Sequence, residues 1–177
     1  MTFDFMILDA IQTYLRGDFL DAFMPFATKL GNGGILWVLC SLALFLFPKT
    51  RKAGAAMAVS LILEVICCNL LLKPLVARIR PYDVNTAVEL LIRPPVDYSF
   101  PSGHTCASFA AAAALFFCRN RGWITAFVAA VLIAFSRLYL YVHYPTDVLA
   151  GALLGILLGW LGVMLVSAVE RKRHIFH

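Results

Sequence analysis

Residues 53–72, AGAAMAVSLILEVICCNLLL, run for twenty positions with Glu64 as their only charged side chain. At 1.5 Å per residue such a helix is about 30 Å long, the thickness of a bilayer's hydrocarbon core. Four further apolar stretches flank it: Gly33–Phe47, Phe100–Cys118, Trp123–Val142 and Val148–Val169. The whole chain agrees, since 62% of its 177 residues are hydrophobic, 14% are charged and mean hydropathy is +0.84. Soluble domains run about 45–50% apolar and about 25% charged, so a soluble globule and a disordered chain are both excluded. No strand-like alternation supports a barrel, which leaves helices to satisfy the backbone in lipid. The expected fold is all-α: a polytopic membrane bundle of five transmembrane helices, or six if the N-terminal segment also crosses.

That segment, residues 1–30, has another character. Asp4, Asp9, Arg16, Asp18 and Asp21 interrupt its apolar residues, which predicts one or two amphipathic helices in the interface, broken near Gly17. A basic n-region and a small-residue cleavage site are missing, so a signal peptide is not expected. Residues 1–177 read as one domain without repeats or linkers. The longest connection, Lys73–Ser99, has the length of a functional loop, and Val84–Ile92 within it is expected to form a short surface helix. Gly151, Gly155 and Gly159 recur every four residues, a face for close helix packing, within the chain rather than between copies. Five cysteines, all in apolar stretches, are expected to be free thiols. Glu64 reads as a buried acid bonded to a neighbouring helix, too far along its span to join the chemistry.

The net charge of +5 is uneven. Lys49, Arg51, Lys52, Arg119, Arg121, Arg171, Lys172 and Arg173 fall in two tight connections and the C-terminal tail, opposed there by Glu170 alone. This is a topogenic bias and not a nucleic-acid surface, for no basic run interleaved with aromatics is present. It places those segments in the cytoplasm and the other ends of the helices outside.

Polar residues of chemical interest collect at those other ends. Lys73 closes the second span, and Arg80-Pro81 follows after six intervening residues. Pro101-Ser102-Gly103-His104 opens the third, with Pro101 suited to the first helical position and Ser99 a candidate cap. Ser136-Arg137 ends the fourth, and His143 and Asp147 lead into the fifth. Free N–H groups at a helix start favour a phosphate, and Gly103 lets the backbone approach closely. Lys73, Arg80 and Arg137 add cations whose donors match phosphoryl oxygens. His143 and Asp147, four apart, suit a nucleophilic imidazole held by a carboxylate, and His104 suits a proton donor to the departing oxygen. Zinc is the competing use of two histidines and an aspartate, but the surrounding cations suit an anion better.

These three groups, Lys73-x6-Arg80-Pro81, Pro101-Ser102-Gly103-His104 and Ser136-Arg137-x5-His143-x3-Asp147, resemble the three signatures of the type-2 phosphatidic acid phosphatase superfamily, in the same order and over 75 of 177 residues. The resemblance implies a metal-independent lipid phosphatase without a cofactor, working in a bilayer. His143 would attack phosphorus to give a phosphohistidine, Asp147 would orient it, and His104 would protonate the leaving group. Lys73, Arg80, Ser102, Gly103 and Arg137 would hold the phosphoryl oxygens. Candidate substrates are phosphatidic acid, phosphatidylglycerol phosphate, diacylglycerol pyrophosphate and undecaprenyl pyrophosphate. The expected location is a bacterial cytoplasmic membrane with the site on its extracytoplasmic face. A lipid phosphotransferase and a non-catalytic lipid-phosphate binding or transport protein are the alternatives.

Overall fold

A computed structural model describes residues 3–175. Its elements are α1 (Phe3–Tyr14), α2 (Asp18–Leu30), a 3-10 turn (Asn32–Gly34), α3 (Ile35–Leu46), α4 (Arg51–Glu64), a π-helical stretch (Val65–Leu72), α5 (Lys73–Val76), α6 (Pro81–Val84), α7 (Gly103–Phe117), α8 (Trp123–Tyr139) and α9 (Pro145–Ile175). The described residues are all-helical, with no strand, and the chain is an integral membrane helical bundle. Ile62, Leu70, Val128, Leu149 and Leu153 are each more than half exposed. An aqueous surface rarely carries so much apolar area, whereas lipid accepts it.

By length and composition, two helical runs are long and apolar enough to cross a membrane, Arg51–Val84 and Pro145–Lys172. Asp18–Leu30 and Asn32–Leu46, bent by 43°, make a third if taken as one span, and Gly103–Phe117 and Trp123–Tyr139 are shorter apolar helices. The expected first span at Gly33–Phe47 therefore does not stand alone. Its regular part is the 12-residue α3, joined end to end with α2. Gly33 (φ 58°) and Gly34 (φ 65°) make the bend, in a left-handed conformation that glycine adopts without steric cost.

Helix α7 sits centrally, packed against α9, α8 and α4. The glycine face of α9 meets α7 directly: a Cβ at Gly151 would lie 2.7 Å from Ser102 O, and one at Gly159 would lie 2.6 Å from Ala113 Cβ. The stripe thus serves packing within the chain, as expected. Its partner surface is the alanine run 110–114, which is buried throughout. Polar groups in this core are paired: Trp37 Nε1 donates to Ser108 Oγ (2.9 Å), which donates to His104 O (2.7 Å). Cys40, Cys67, Cys68, Cys106 and Cys118 are free thiols.

The loop after α5 departs from expectation. Only Pro81–Val84 is helical, and residues 85–92 form turns and bends. Val88, Leu90, Leu91 and Ile92 pack onto Tyr139, Tyr141 and Val142, and Tyr82 donates to Pro95 O (2.5 Å). Four apolar residues pinned to a tyrosine platform, with Pro94-Pro95 following, leave no regular helical face to form. The N-terminal segment is two helices parted at residues 15–17, as expected, and both pack on α8.

Candidate active site

The three motif segments converge at one end of the bundle. They line a cavity of about 460 Å³ with Lys73, Arg80, Asp97, His104, Arg137 and His143 in its wall. Arg80, Arg137 and His143 are almost wholly buried, and Asp147 behind them is fully so. His104, also in the wall, is half-buried. Helix α7 begins beside this cavity at Gly103, with Ser102 as its cap residue and no side chain satisfying its first N–H groups. Pro101 therefore precedes the cap instead of occupying the first helical turn. Ser99 does not cap the helix either; its hydroxyl donates to Asp147 Oδ2 (2.5 Å).

His143 Nδ1 faces Asp147 Oδ2 at 3.5 Å. Asp147 is held from three further directions, by Ser99 Oγ, by the Tyr144 N–H (3.0 Å) and by Arg78 Nη1 (2.5 Å). A proton on His143 Nδ1 leaves the lone pair at Nε2, and Arg80 Nη1 lies 3.3 Å from that atom. Burial first, then the charges of Arg80, Arg137 and Lys73, hold this imidazole well below its ordinary value. Arg80 also donates to Val142 O (2.5 Å), Asp97 O (2.7 Å) and Asp97 Oδ1 (2.6 Å). Lys73 donates to Asp97 Oδ2. Burial raises the Asp97 carboxyl, but the Lys73 hydrogen bond and the charges of Lys73 and Arg80 outweigh it and hold the group down at about 2. Among the described residues, Arg137 Nε and His143 Nδ1 are the buried side-chain nitrogens without a hydrogen-bond partner.

Three side chains from the first 32 residues hold groups of the site or their partners. Asp4 Oδ2 accepts from Arg78 Nη2 (2.7 Å), and its other oxygen accepts from the Thr146 N–H (3.1 Å). Arg78 is also stacked 3.8 Å over the Tyr144 ring. Thr28 Oγ1 accepts from Arg137 Nη1 (2.5 Å), and Asn32 Oδ1 lies 2.9 Å from His104 Nε2. Gly31 packs so closely there that a Cβ would come within 2.7 Å of His104 Cδ2.

Sequence reading missed Arg78, Asp97, Asp4, Thr28 and Asn32. Arg78 sits unmarked inside the Lys73–Arg80 spacer, and Asp97 in an irregular loop. The other three are brought near only by folding. Glu64 needs a correction too. Its Oε1 accepts from Asn69 Nδ2 (2.9 Å), and it lines a second cavity of about 320 Å³, with Gly103 in its wall, that shares Lys73, Asp97 and His104 with its neighbour. Distance along the helix had suggested separation, but the N-terminus of α7 lies beside this turn. Among the described residues the one cluster with metal-ligand spacing is Glu64, Cys68 and Cys106. His104, His143 and Asp147 do not form such a cluster.

Fold and site together define a helical membrane protein with a cation-lined pocket at one end of its bundle. The chain belongs to the PAP2 superfamily, whose family model matches residues 53–171. It is 34% identical over 155 residues to an undecaprenyl-diphosphatase of Sulfolobus acidocaldarius, covering 87% of this chain and 74% of that one. Its structure resembles the crystal structure of Aquifex aeolicus LpxE, with a TM-score of 0.80 and 30% identity over 93% of this chain and 96% of the other. It also resembles a transmembrane PAP2-type phosphatidylglycerolphosphate phosphatase from Bacillus subtilis, with a TM-score of 0.73 and 30% identity over 96% and 85% of the two chains.

Proposed function

We propose that this protein is a membrane lipid phosphatase that cleaves a phosphomonoester or diphosphate of a lipid through a phosphohistidine at His143. The observation that carries the reading is the buried Arg137 Nε without a partner, in the same wall as Lys73, Arg80 and His143. A buried charged donor left unpaired is costly, and a phosphoryl oxygen in the cavity relieves that cost. His143 Nε2 attacks phosphorus while the bond to the lipid oxygen breaks, and that oxygen takes its proton from His104. Water, deprotonated by His104, then attacks phosphorus; the phosphorus–nitrogen bond breaks with its electron pair returning to His143 Nε2, and phosphate leaves. Asp147 stabilises the imidazolium charge that develops, and Lys73, Arg80, Arg137 and the α7 N–H groups stabilise the equatorial oxygens. The roles follow chemistry and family membership together. Phosphate release by purified protein from a panel of lipid phosphates and diphosphates tests the reading. Release with wild type and none with His143→Ala is expected, and binding without release would leave a lipid-phosphate binding protein.

The site is proposed to face outward from a bacterial cytoplasmic membrane. Support comes from the opposite end of the bundle, where Lys52 pairs with Glu170 at 2.8 Å and the basic connections 48–52 and 119–122 gather. Arg171 and Lys172 follow there, while the side chain of Arg173 lies outside the described residues. A positive end is retained in the cytoplasm. An impermeant thiol reagent should label Thr86→Cys in intact cells and Asn120→Cys only after permeabilisation. The reverse pattern overturns the orientation.

A further inference from the structure

The cavity holds more positive charge than one phosphate monoester uses. Lys73, Arg80 and Arg137 oppose Asp97 inside it, a formal excess matched to the double charge of a terminal phosphate. Two further cations, Lys29 and Arg93, line the same cavity. They differ from the inner three in a way that matters. Both are exposed, whereas Arg80 and Arg137 are buried. Among the described residues neither takes part in an ion pair. They also come from two unrelated parts of the chain, Lys29 from the last turn of α2 and Arg93 from the irregular loop that precedes α7.

We infer that Lys29 and Arg93 form a distal phosphate subsite that takes the inner phosphate of a lipid diphosphate whose terminal phosphate lies in the cradle of Lys73, Arg80 and Arg137. The inference rests on the phosphatase reading and names a substrate class for it. With the terminal phosphorus at His143, a lipid tail must leave through the mouth to reach the bilayer. The inner phosphate of a diphosphate then lies between cradle and mouth, at the rim that these two side chains line. The chemistry asks for charge there. As His143 Nε2 forms its bond, the bond from the terminal phosphorus to the bridging oxygen breaks. That oxygen departs with the electron pair, and negative charge builds on the inner phosphate until the proton from His104 arrives. Two cations stabilise that charge in the transition state more than in the ground state, so they accelerate the step as well as bind the substrate. A lipid monophosphate places only an ester oxygen and carbon at the rim and gains little from them.

The test compares farnesyl diphosphate with farnesyl monophosphate, both in neutral detergent micelles, for wild type and for Lys29→Gln/Arg93→Gln. The double variant should lower kcat/KM for the diphosphate so that the diphosphate-to-monophosphate ratio falls about tenfold or more, the scale of one lost charge-assisted contact. Lys29→Arg/Arg93→Lys should restore the ratio. An equal fall with both substrates, the mark of a general attraction for anions, overturns the inference, and so does an unchanged ratio. Wild type that cleaves the monophosphate but not the diphosphate overturns it and leaves the phosphatase reading standing. Wild type that cleaves neither substrate, nor any lipid phosphate of the wider panel, fails both.

Discussion

Residues 73–147 and residues 3–34 meet at the same cavity and supply different things. The first stretch carries the groups suited to meet a phosphoryl group: Lys73, Arg80, Arg137, His143, His104 and the start of α7. The second carries groups that hold those groups, with Asp4 on Arg78, Thr28 on Arg137 and Asn32 on His104. Local spacing can describe the first kind, because four residues on a helix or a helix start fix their relative positions. The second kind has no spacing at all, since Asp4 and Thr146 are 142 positions apart. A pocket built from strong motifs is thus finished by residues that carry no motif.

The comparison can be broken by substitution. On the motif side, His143→Ala removes the proposed nucleophile and should lower kcat by ~10⁴-fold or more. Acid-labile ³²P on the wild-type protein, absent from the variant, checks the same point. On the supporting side, Arg78→Ala frees one oxygen of Asp147 and should cost about 10–100-fold in kcat with little change in KM, the scale of outer partners that orient a functional group. Free guanidinium should restore part of that loss where equal sodium chloride does not. A loss as large as that of His143→Ala would erase the distinction between the two regions.

Asn32→Ala removes one hydrogen bond to His104 and should cost only about 2–10-fold. The loss should grow as the leaving group of an aryl phosphate becomes poorer, because poor leaving groups depend most on a well-held acid. A loss independent of the leaving group would give Asn32 a structural role only. The smallest effect is in protonation. His143 is held well below the ordinary imidazole range, first by burial and then by Arg80, Arg137 and Lys73, so the neutral, nucleophilic form persists as pH falls. In ¹⁵N-labelled protein this ring should still be neutral below the usual histidine value of about 6.5. Titration at the usual value would show that the cations act on it less than their placement implies.

Much of this molecule is legible in the chain. The apolar runs are sorted by water and lipid into membrane helices, two of them long enough to cross on their own. Crossing parity then brings Lys73, His104, Arg137 and His143 to one end and the basic connections to the other. The Gly151–Gly155–Gly159 spacing announces a close helix contact, and the break near Gly17 follows from glycine and flanking charge. Where reading failed, the determinant was not local. Val84–Ile92 has helix-compatible composition, yet a platform of Tyr139, Tyr141 and Val142 takes its apolar side chains. Glu64 is distant from Lys73 along one helix axis, yet the neighbouring helix α7 starts beside it.

Legible from the residues alone are the class of fold, the end of the bundle where Lys73, His104, Arg137 and His143 collect, and most of the charged groups in the cavity wall. Each of these follows from hydrophobicity, helix period or charge, quantities that act over a few residues. Folding alone sets which oxygen of Asp147 faces His143, that Asp97 pairs with both Lys73 and Arg80, and that α2 walls the cavity while α1 holds Arg78. Those outcomes depend on side chains from distant segments competing for the same buried donors and acceptors. That competition is settled only when packing has removed water from between them.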